Sequence, residues 1–179
     1  MIKELRDQTK VSIMQCKKAL EEAGGDMEKA VMILRKISAT TAAKKSDREL
    51  GAGIIGSYKH TTSKVAAIVE VQCETDFVAQ NPEVMEFANN LAMHIVAMNP
   101  QYVNKEEITE AETAKATEFF MEEINASDKP AEMKEKILAG KLDAFFAEKT
   151  LMNQPFVMNG DMTIADVVNG LTQKTGERI

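Results

Sequence analysis

The chain has 179 residues, of which 44% are hydrophobic and 28% are charged, and its formal net charge at pH 7 is −6. This length and composition are typical of a globular protein with one compact core or two small ones. The acidic balance argues against a direct nucleic-acid interface, which normally needs a basic surface. The longest apolar runs are too short to cross a bilayer and no signal-peptide pattern opens the chain, so we expect a cytoplasmic protein.

Residue types that commonly carry chemistry are sparse. His60 and His94 are the only histidines, and no Cys/His cluster has metal-ligand spacing. Cys16 and Cys73 form neither a disulfide framework nor a CxxC pair, so we expect buried thiols, with a catalytic thiol as the alternative. No Walker A motif occurs, and we expect the protein to hold no nucleotide or other cofactor itself.

Residues 1–50 are predicted to form a three-helix domain followed by a linker. Apolar residues recur at helical spacing over about residues 2–9, 13–23 and 27–37. Gly24-Gly25 suits the end of the second helix, and Asp26 is expected to cap the third. A unit of this kind is similar to the ubiquitin-associated fold, which is a binding module. Residues 38–50 have little apolar content and predict a linker or an exposed helix at a domain boundary.

Lys17 and Lys18 fall on the polar side of the second predicted helix. They form either an ordinary solvated basic face or a contact with a partner.

From Gly51 the apolar period changes from that of a helix to that of a strand. Residues 51–60 and 65–71 predict an antiparallel hairpin whose tip is Thr61-Thr62-Ser63. His60 lies beside this tip, where it is either simply exposed or a functional contact.

The junction between the second strand and the next helix is predicted to contain Thr75-Asp76-Phe77-Val78. Asp76 is expected to cap exposed helix N–H groups. Two interpretations of Phe77 are open: a core anchor, or an aromatic side chain left protruding at the tip of the corner.

The remainder of the core is predicted to be mainly helical. A helix opens at Asn81-Pro82 and stops before Pro100, with His94 at the edge of its apolar stripe as a packing residue. Residues 154–158 predict an extended segment after Pro155, and Thr163 is expected to cap the last helix. The other predicted helices cover Lys105–Ile124, which ends before Asp128-Lys129-Pro130, then residues 131–139, residues 142–149 with Phe145 and Phe146 as anchors, and residues 164–171.

Several motifs occur together in one order along the chain. They are Leu5-Arg6-x-x-Thr9, Met14-x-Cys16-Lys17-Lys18-Ala19-Leu20, Gly25-Asp26, Thr75-Asp76-Phe77-Val78 and Gln154-Pro155-Phe156-Val157-Met158. In this combination they resemble the elongation factor Ts family, and the resemblance covers essentially the whole chain. Only one copy of the core subdomain is readable, so the chain resembles the short, single-core type of that family.

The resemblance implies a guanine-nucleotide exchange factor for elongation factor Tu, in its GDP-bound and nucleotide-free forms, that makes and breaks no covalent bond. It also implies a likeness in fold: an α+β protein with a three-helix N-terminal domain (1–50) and a core of antiparallel sheet and helices (51–179). Because members of the short type pair as dimers, the resemblance also implies a homodimer. The partner contacts that the resemblance implies are Lys17, His60, the magnesium-displacing motif Thr75, Asp76, Phe77 and Val78, the pair Val157 and Met158, and the pair Thr175 and Gly176.

Two other classes of protein remain as alternatives from the residues alone. One is a non-catalytic helical interaction module that binds a peptide or a ubiquitin-like partner through the three-helix unit. The other is a thiol enzyme that uses Cys16 or Cys73.

Overall fold

The computed structural model describes residues 1–9, 11–125 and 130–179. It is an α+β structure, as predicted, in which helices surround two small antiparallel hairpins. The helices are α1 (Ile2–Thr9), α2 (Ile13–Glu22), α3 (Met27–Ala43), α4 (Asp76–Ala79), α5 (Pro82–Met98), α6 (Glu110–Asn125), α7 (Ala131–Lys149) and α8 (Ile164–Thr175). The strands are β1 (Ala52–Lys59), β2 (Ala66–Cys73), β3 (Pro155–Phe156) and β4 (Asn159–Thr163).

The first three helices enclose a small hydrophobic cluster of their own. Asp26 Oδ1 accepts a hydrogen bond from Lys29 N at 3.1 Å, which confirms the predicted cap of α3. Gly24 and Gly25 have φ of 64° and 87°, a backbone conformation that glycine adopts without strain, and they end α2 as expected. The buried members of the cluster are Leu5, Val11, Cys16, Ala19, Leu20, Ala30 and Leu34.

The segment predicted as a linker or exposed helix begins as a continuation of α3. This helix runs to Ala43 and packs against α8, so that Ser38 is buried rather than exposed. The residues that follow, 44–51, connect α3 to β1 without a strand or an α-helix.

The predicted hairpin is confirmed, and α5 packs against one face of it. β1 and β2 pair in register from Ala52 opposite Cys73 to Lys59 opposite Ala66. At Gly56 the helix lies so close that an added Cβ would be 2.1 Å from the carbonyl oxygen of Ala88. The absence of a side chain at Gly56 therefore sets how closely α5 approaches the sheet.

The larger core lies between this hairpin, α4, α5, β3 and α8. Asn81 Oδ1 accepts from Glu83 N at 2.9 Å, and Thr163 Oγ1 accepts from Asp166 N at 3.1 Å, which confirms the predicted starts of α5 and α8. The buried members of this larger core are Val71, Cys73, Val78, Ala79, Val84, Phe87, Ala88, Leu91, Leu151, Phe156 and Ile164.

Some predicted helix boundaries are wrong. The two segments predicted for residues 131–139 and 142–149 are one helix, α7, which passes through Gly140 without a break. The segment from Lys105 starts as a short 3₁₀ turn, and α6 begins only at Glu110. The predicted helix end at Asp128-Lys129 lies outside the described residues.

The aromatic rings of the α6–α7 pair contact one another. Phe120 and Phe145 lie edge to face with centroids 5.5 Å apart, and Phe145 and Phe146 follow at 5.2 Å. Phe146 is buried and Phe145 is half-buried, so both contribute to packing as predicted.

Replacing Gly56 with alanine should destabilise the protein. The added methyl group would overlap the backbone of α5, and overpacking of this kind costs about 1–3 kcal/mol or more in the free energy of unfolding. Chemical denaturation followed by circular dichroism measures the loss.

Gly140→Ala provides the matched control, because an added Cβ at Gly140 meets no atom within 4 Å. Alanine inside α7 should raise the stability by roughly 0.5–1 kcal/mol. Equal stabilities of the Gly56→Ala and unaltered proteins would contradict the proposed close approach of α5.

Candidate functional site

The corner formed by Thr75–Val78 connects β2 to α5 through the single turn of α4. Val78 and Ala79 point into the core and are buried, whereas the neighbouring Phe77 is 86% exposed. Consecutive residues of a helix face different directions, so burial of one side of this turn leaves Phe77 in solvent. The core-anchor interpretation of Phe77 is therefore wrong, and the protruding interpretation agrees with the structure.

Asp76 does not cap the turn, contrary to the prediction. The N-cap position belongs to Thr75, whose backbone is extended, and Asp76 is the first helical residue with an exposed side chain. The Thr75 hydroxyl does not bond to the helix either. Instead Thr75 Oγ1 donates to Glu177 Oε1 at 2.8 Å, and Thr75 N donates to Glu177 Oε2 at 3.0 Å.

Residues 176–178, which we call the C-terminal strap, hold the corner from outside. Besides the Glu177 contacts, the backbone N–H of Arg178 donates to Glu74 Oε1 at 2.5 Å. Arg48 also pairs with Glu74, with Nη1 3.1 Å from Oε1. The Arg178 N–H is the main cause that holds the pKa of the Glu74 carboxyl below its usual value, with the Arg48 guanidinium adding to it.

The strap was not predicted from the sequence as a support for the corner. The resemblance implies Thr175 and Gly176 as partner contacts but not Glu177, which lies 102 positions from Thr75 in the sequence. No local pattern signals a contact of that range. Gly176 ends α8 with φ of 80°, and its carbonyl oxygen accepts from Lys45 Nζ at 2.5 Å.

Thr175 is engaged within its own segment, where its hydroxyl donates to Leu171 O at 2.9 Å. Because Glu177, the residue that follows Gly176, is hydrogen-bonded to Thr75, Thr175 and Gly176 lie next to the Thr75–Val78 corner.

A second exposed apolar segment lies between β3 and β4. Val157 is 46% exposed and Met158 is 55% exposed, while the preceding Phe156 and Gln154 are buried. The rings of Phe156 and Phe87 pack with centroids 6.2 Å apart. Val157 and Met158 are thus held at the surface by a segment whose start is anchored in the core.

His94 fixes this segment from below. Its Nδ1 accepts a hydrogen bond from Val157 N at 3.2 Å, so the proton of the neutral ring resides on Nε2, which donates to Gln154 Oε1 at 2.9 Å. The side chain is fully buried, and this burial lowers the pKa of His94 even though the bond to Gln154 opposes the shift. The predicted packing role of His94 is confirmed.

His60 lies apart from the corner, and Lys17 lies on α2. His60 is at the far end of the β1–β2 hairpin, separated from Thr75 by the length of β2, roughly 25 Å. Its Nδ1 lies 2.8 Å from Thr62 Oγ1. Lys17 is exposed on α2 and pairs with Glu21 of the same helix at 3.8 Å.

The two cysteines are poorly placed for nucleophilic chemistry. Both are buried, and Cys73 Sγ donates to Thr75 O at 3.2 Å. Burial raises the pKa of the Cys73 thiol, and the nearby Glu177 carboxylate raises it further, so the reactive thiolate is disfavoured. Within the described ranges no group of His, Cys, Asp or Glu has the arrangement of a metal site. Among the helices that the structure describes, none is long and apolar enough to cross a membrane.

Comparison with known proteins gives a consistent result over the whole chain. The family model described as "Elongation factor TS" matches residues 4–177. The chain is 45% identical over all 179 residues to "Elongation factor Ts" of Thermosipho melanesiensis and covers 91% of that protein. The corresponding proteins of Fervidobacterium nodosum and Nitratidesulfovibrio vulgaris are each 44% identical over the full chain, which covers 91% and 90% of them.

The stability of the protein should fall on acidification because of His94. The pKa of His94 lies below the ordinary value of 6.5 in the folded state, so between these two values the unfolded chain binds more protons than the folded one. Stability is then lost as the pH falls through 6.5 towards the folded-state pKa, and none is lost from this source at higher pH. Urea unfolding of the unaltered protein at about pH 7.5 and about pH 5.5 measures the change.

His94→Gln should reduce this pH dependence, since glutamine does not titrate, whereas His60→Gln should leave it as it is. The two variants together account for both histidines of the chain. A pH dependence that disappears in His60→Gln and persists in His94→Gln would show that the assignment to His94 is wrong.

Proposed function

Because the chain belongs to the elongation factor Ts family, we propose that this translation elongation factor promotes the release of GDP from elongation factor Tu. It binds the GDP-bound and nucleotide-free forms of that GTPase, acts in the cytoplasm, and makes or breaks no covalent bond. The observation that carries the proposal is Phe77, an aromatic side chain that is 86% exposed on a corner whose next residues are buried in the core.

Exchange requires that the factor bind the emptied GTPase more tightly than the loaded one, because the coupling between two ligands is reciprocal. Each tenfold weakening of GDP binding needs about 1.4 kcal/mol of differential contact. Burial of one Phe side chain supplies roughly 1.5–3 kcal/mol. Phe77 has most of its surface left to bury. Its insertion into the opened partner therefore accounts for a weakening of GDP binding of roughly 10- to 100-fold.

The other residues of the corner have different parts in this proposal. Asp76 is exposed beside Phe77, and we propose that its carboxylate acts close to the magnesium ion and phosphates that the partner holds. Thr75 and Val78 support the tip, since the first is bonded to Glu177 and the second is buried.

One aromatic side chain does not account for the whole effect, so further contacts share it. Val157 and Met158 offer a second exposed apolar surface. Thr175 and Gly176 lie beside the corner, and His60 extends the contact along the hairpin. Lys17 contributes mainly to encounter and orientation, because an exposed charge changes the association rate more than the affinity.

We assign residues 1–50 and 51–179 to two domains, and the separate hydrophobic clusters of the two parts support this division. A homodimer is our proposal for the assembly, and the outer face of the β1–β2 hairpin supports it. Ile55 and Ile68 are both exposed on the face opposite Gly56. Exposed apolar side chains on a sheet of two strands are commonly covered by another surface.

Phe77→Ala should slow the release of a fluorescent GDP analogue from elongation factor Tu by roughly 10- to 100-fold at equal concentrations of folded protein. Stopped-flow fluorescence measures the rate. The matched control is Phe119→Ala, which removes another exposed phenylalanine, on α6, that the proposal leaves without a role.

Exchange should be unchanged in Phe119→Ala, and both variants should keep the circular dichroism of the unaltered protein. Normal exchange by Phe77→Ala would reject the insertion role. No acceleration of GDP release by the unaltered protein would reject the exchange function.

Light scattering during gel filtration should give twice the 19.8 kDa of one chain if the homodimer forms. Ile68→Lys should then shift the mass towards one chain, because a charge is costly to bury in an apolar interface. A single-chain mass for the unaltered protein at all concentrations would contradict the proposed assembly.

A further inference from the structure

We propose that Glu177 is a positioning residue for nucleotide exchange, which orders the Thr75–Val78 corner so that Phe77 is presented in one orientation. The inference rests on the exchange function proposed above and extends it to a residue that lies outside the corner. Glu177 acts through Thr75 and not through contact with the GTPase.

The first argument is the geometry of the contact. The two carboxylate oxygens of Glu177 accept separately from the N–H and the hydroxyl of Thr75, at 3.0 and 2.8 Å. Hydrogen bonds to an ionised acceptor are roughly twice as strong as neutral ones. Together they restrain both the backbone and the χ1 angle of Thr75, the residue from which α4 starts.

The second argument is that the corner cannot order itself. The helix α4 has only four residues, and one helical turn is not stable in water on its own. Phe77 contributes little to its own placement because it is 86% exposed. Val78 and Ala79 fix the inner side of the turn in the core, which leaves the start of the turn to be held by other groups.

The third argument is that the strap which carries Glu177 is itself held on both sides. Before Glu177, the carbonyl oxygen of Gly176 accepts from Lys45 and Arg48. After it, Arg178 donates its backbone N–H to Glu74 and its guanidinium Nη1 to the Arg48 carbonyl oxygen at 2.6 Å. The carboxylate is therefore delivered to Thr75 by a backbone with little freedom to move.

A looser tip would lower the exchange rate without removing any contact surface. When only a fraction of the molecules have the competent orientation, the apparent affinity for the partner equals the intrinsic affinity multiplied by that fraction. A tip that is ordered in one third to one tenth of the molecules would reduce exchange by roughly three- to tenfold.

The first experiment reads the order of the tip directly and needs no partner. The chain contains no tryptophan, so Phe77→Trp introduces a single tryptophan at the tip, which serves as the fluorescent probe. In this background, Glu177→Gln should increase the amplitude of fast local motion in time-resolved anisotropy. Glutamine offers one acceptor oxygen instead of two, and its NH₂ group faces a donor of Thr75.

Two further variants serve as controls for this measurement. Glu83→Gln removes a different ion pair, between Glu83 of α5 and Lys174 of α8, and should leave the motion of the probe unchanged. Thr75→Val keeps the shape of the side chain but removes the hydroxyl, so it should raise the mobility by less than Glu177→Gln. Unchanged anisotropy in Glu177→Gln would overturn the positioning role whatever happens to exchange.

The second experiment is a double-mutant cycle on the rate of GDP release from elongation factor Tu. Glu177→Gln should slow exchange by roughly three- to tenfold with Phe77 present and by less than about twofold in the Phe77→Ala background. Equal losses in both backgrounds would mean that Glu177 contacts the partner directly or acts on overall stability, and would reject the proposal. If the unaltered protein does not accelerate release at all, the exchange function fails, and the anisotropy still decides whether Glu177 orders the tip.

Discussion

The packing of α5 on the β1–β2 hairpin is the constraint on which the rest of the core depends. Its closest point is Gly56, where the helix backbone occupies the space of a side chain. The corner with Phe77 lies immediately before the start of this helix, and His94 lies twelve residues further along it, a separation of about 18 Å. Because His94 holds Val157, one rigid helix sets the distance between two exposed apolar segments.

Both of these segments expose apolar side chains while their backbone is held by a polar side chain from a distant part of the chain. At the corner this side chain is Glu177, and at the β3–β4 turn it is His94. Exposed Phe, Val and Met side chains gain little from packing within their own chain and contribute little to ordering the loop that carries them. Hydrogen bonds to backbone N–H groups supply that order without covering the apolar surface.

Much of the secondary structure follows from local sequence signals. The caps at Asp26, Asn81 and Thr163 were predicted from residue type and position, and the hairpin from the change of period after Gly51. The direction of Phe77 was not fixed in this way, because a single turn is too short for a pattern to show which side is buried. The residue type of Asp76 predicts a cap, whereas Thr75 holds the cap position and directs its hydrogen bonds to Glu177.

The helix α8 connects the three-helix unit with the corner. Near the start of α8, Asp166 lies 3.8 Å from Arg35 of α3. Further along α8, Gln173 accepts a hydrogen bond from the buried Ser38 of α3. At its end, Gly176 accepts from Lys45 and leads into the strap that reaches Thr75. A rotation of α3 against the core would therefore displace α8 and the strap together. The orientation of the unit that carries Lys17 and the order of the tip that carries Phe77 thus depend on the same helix.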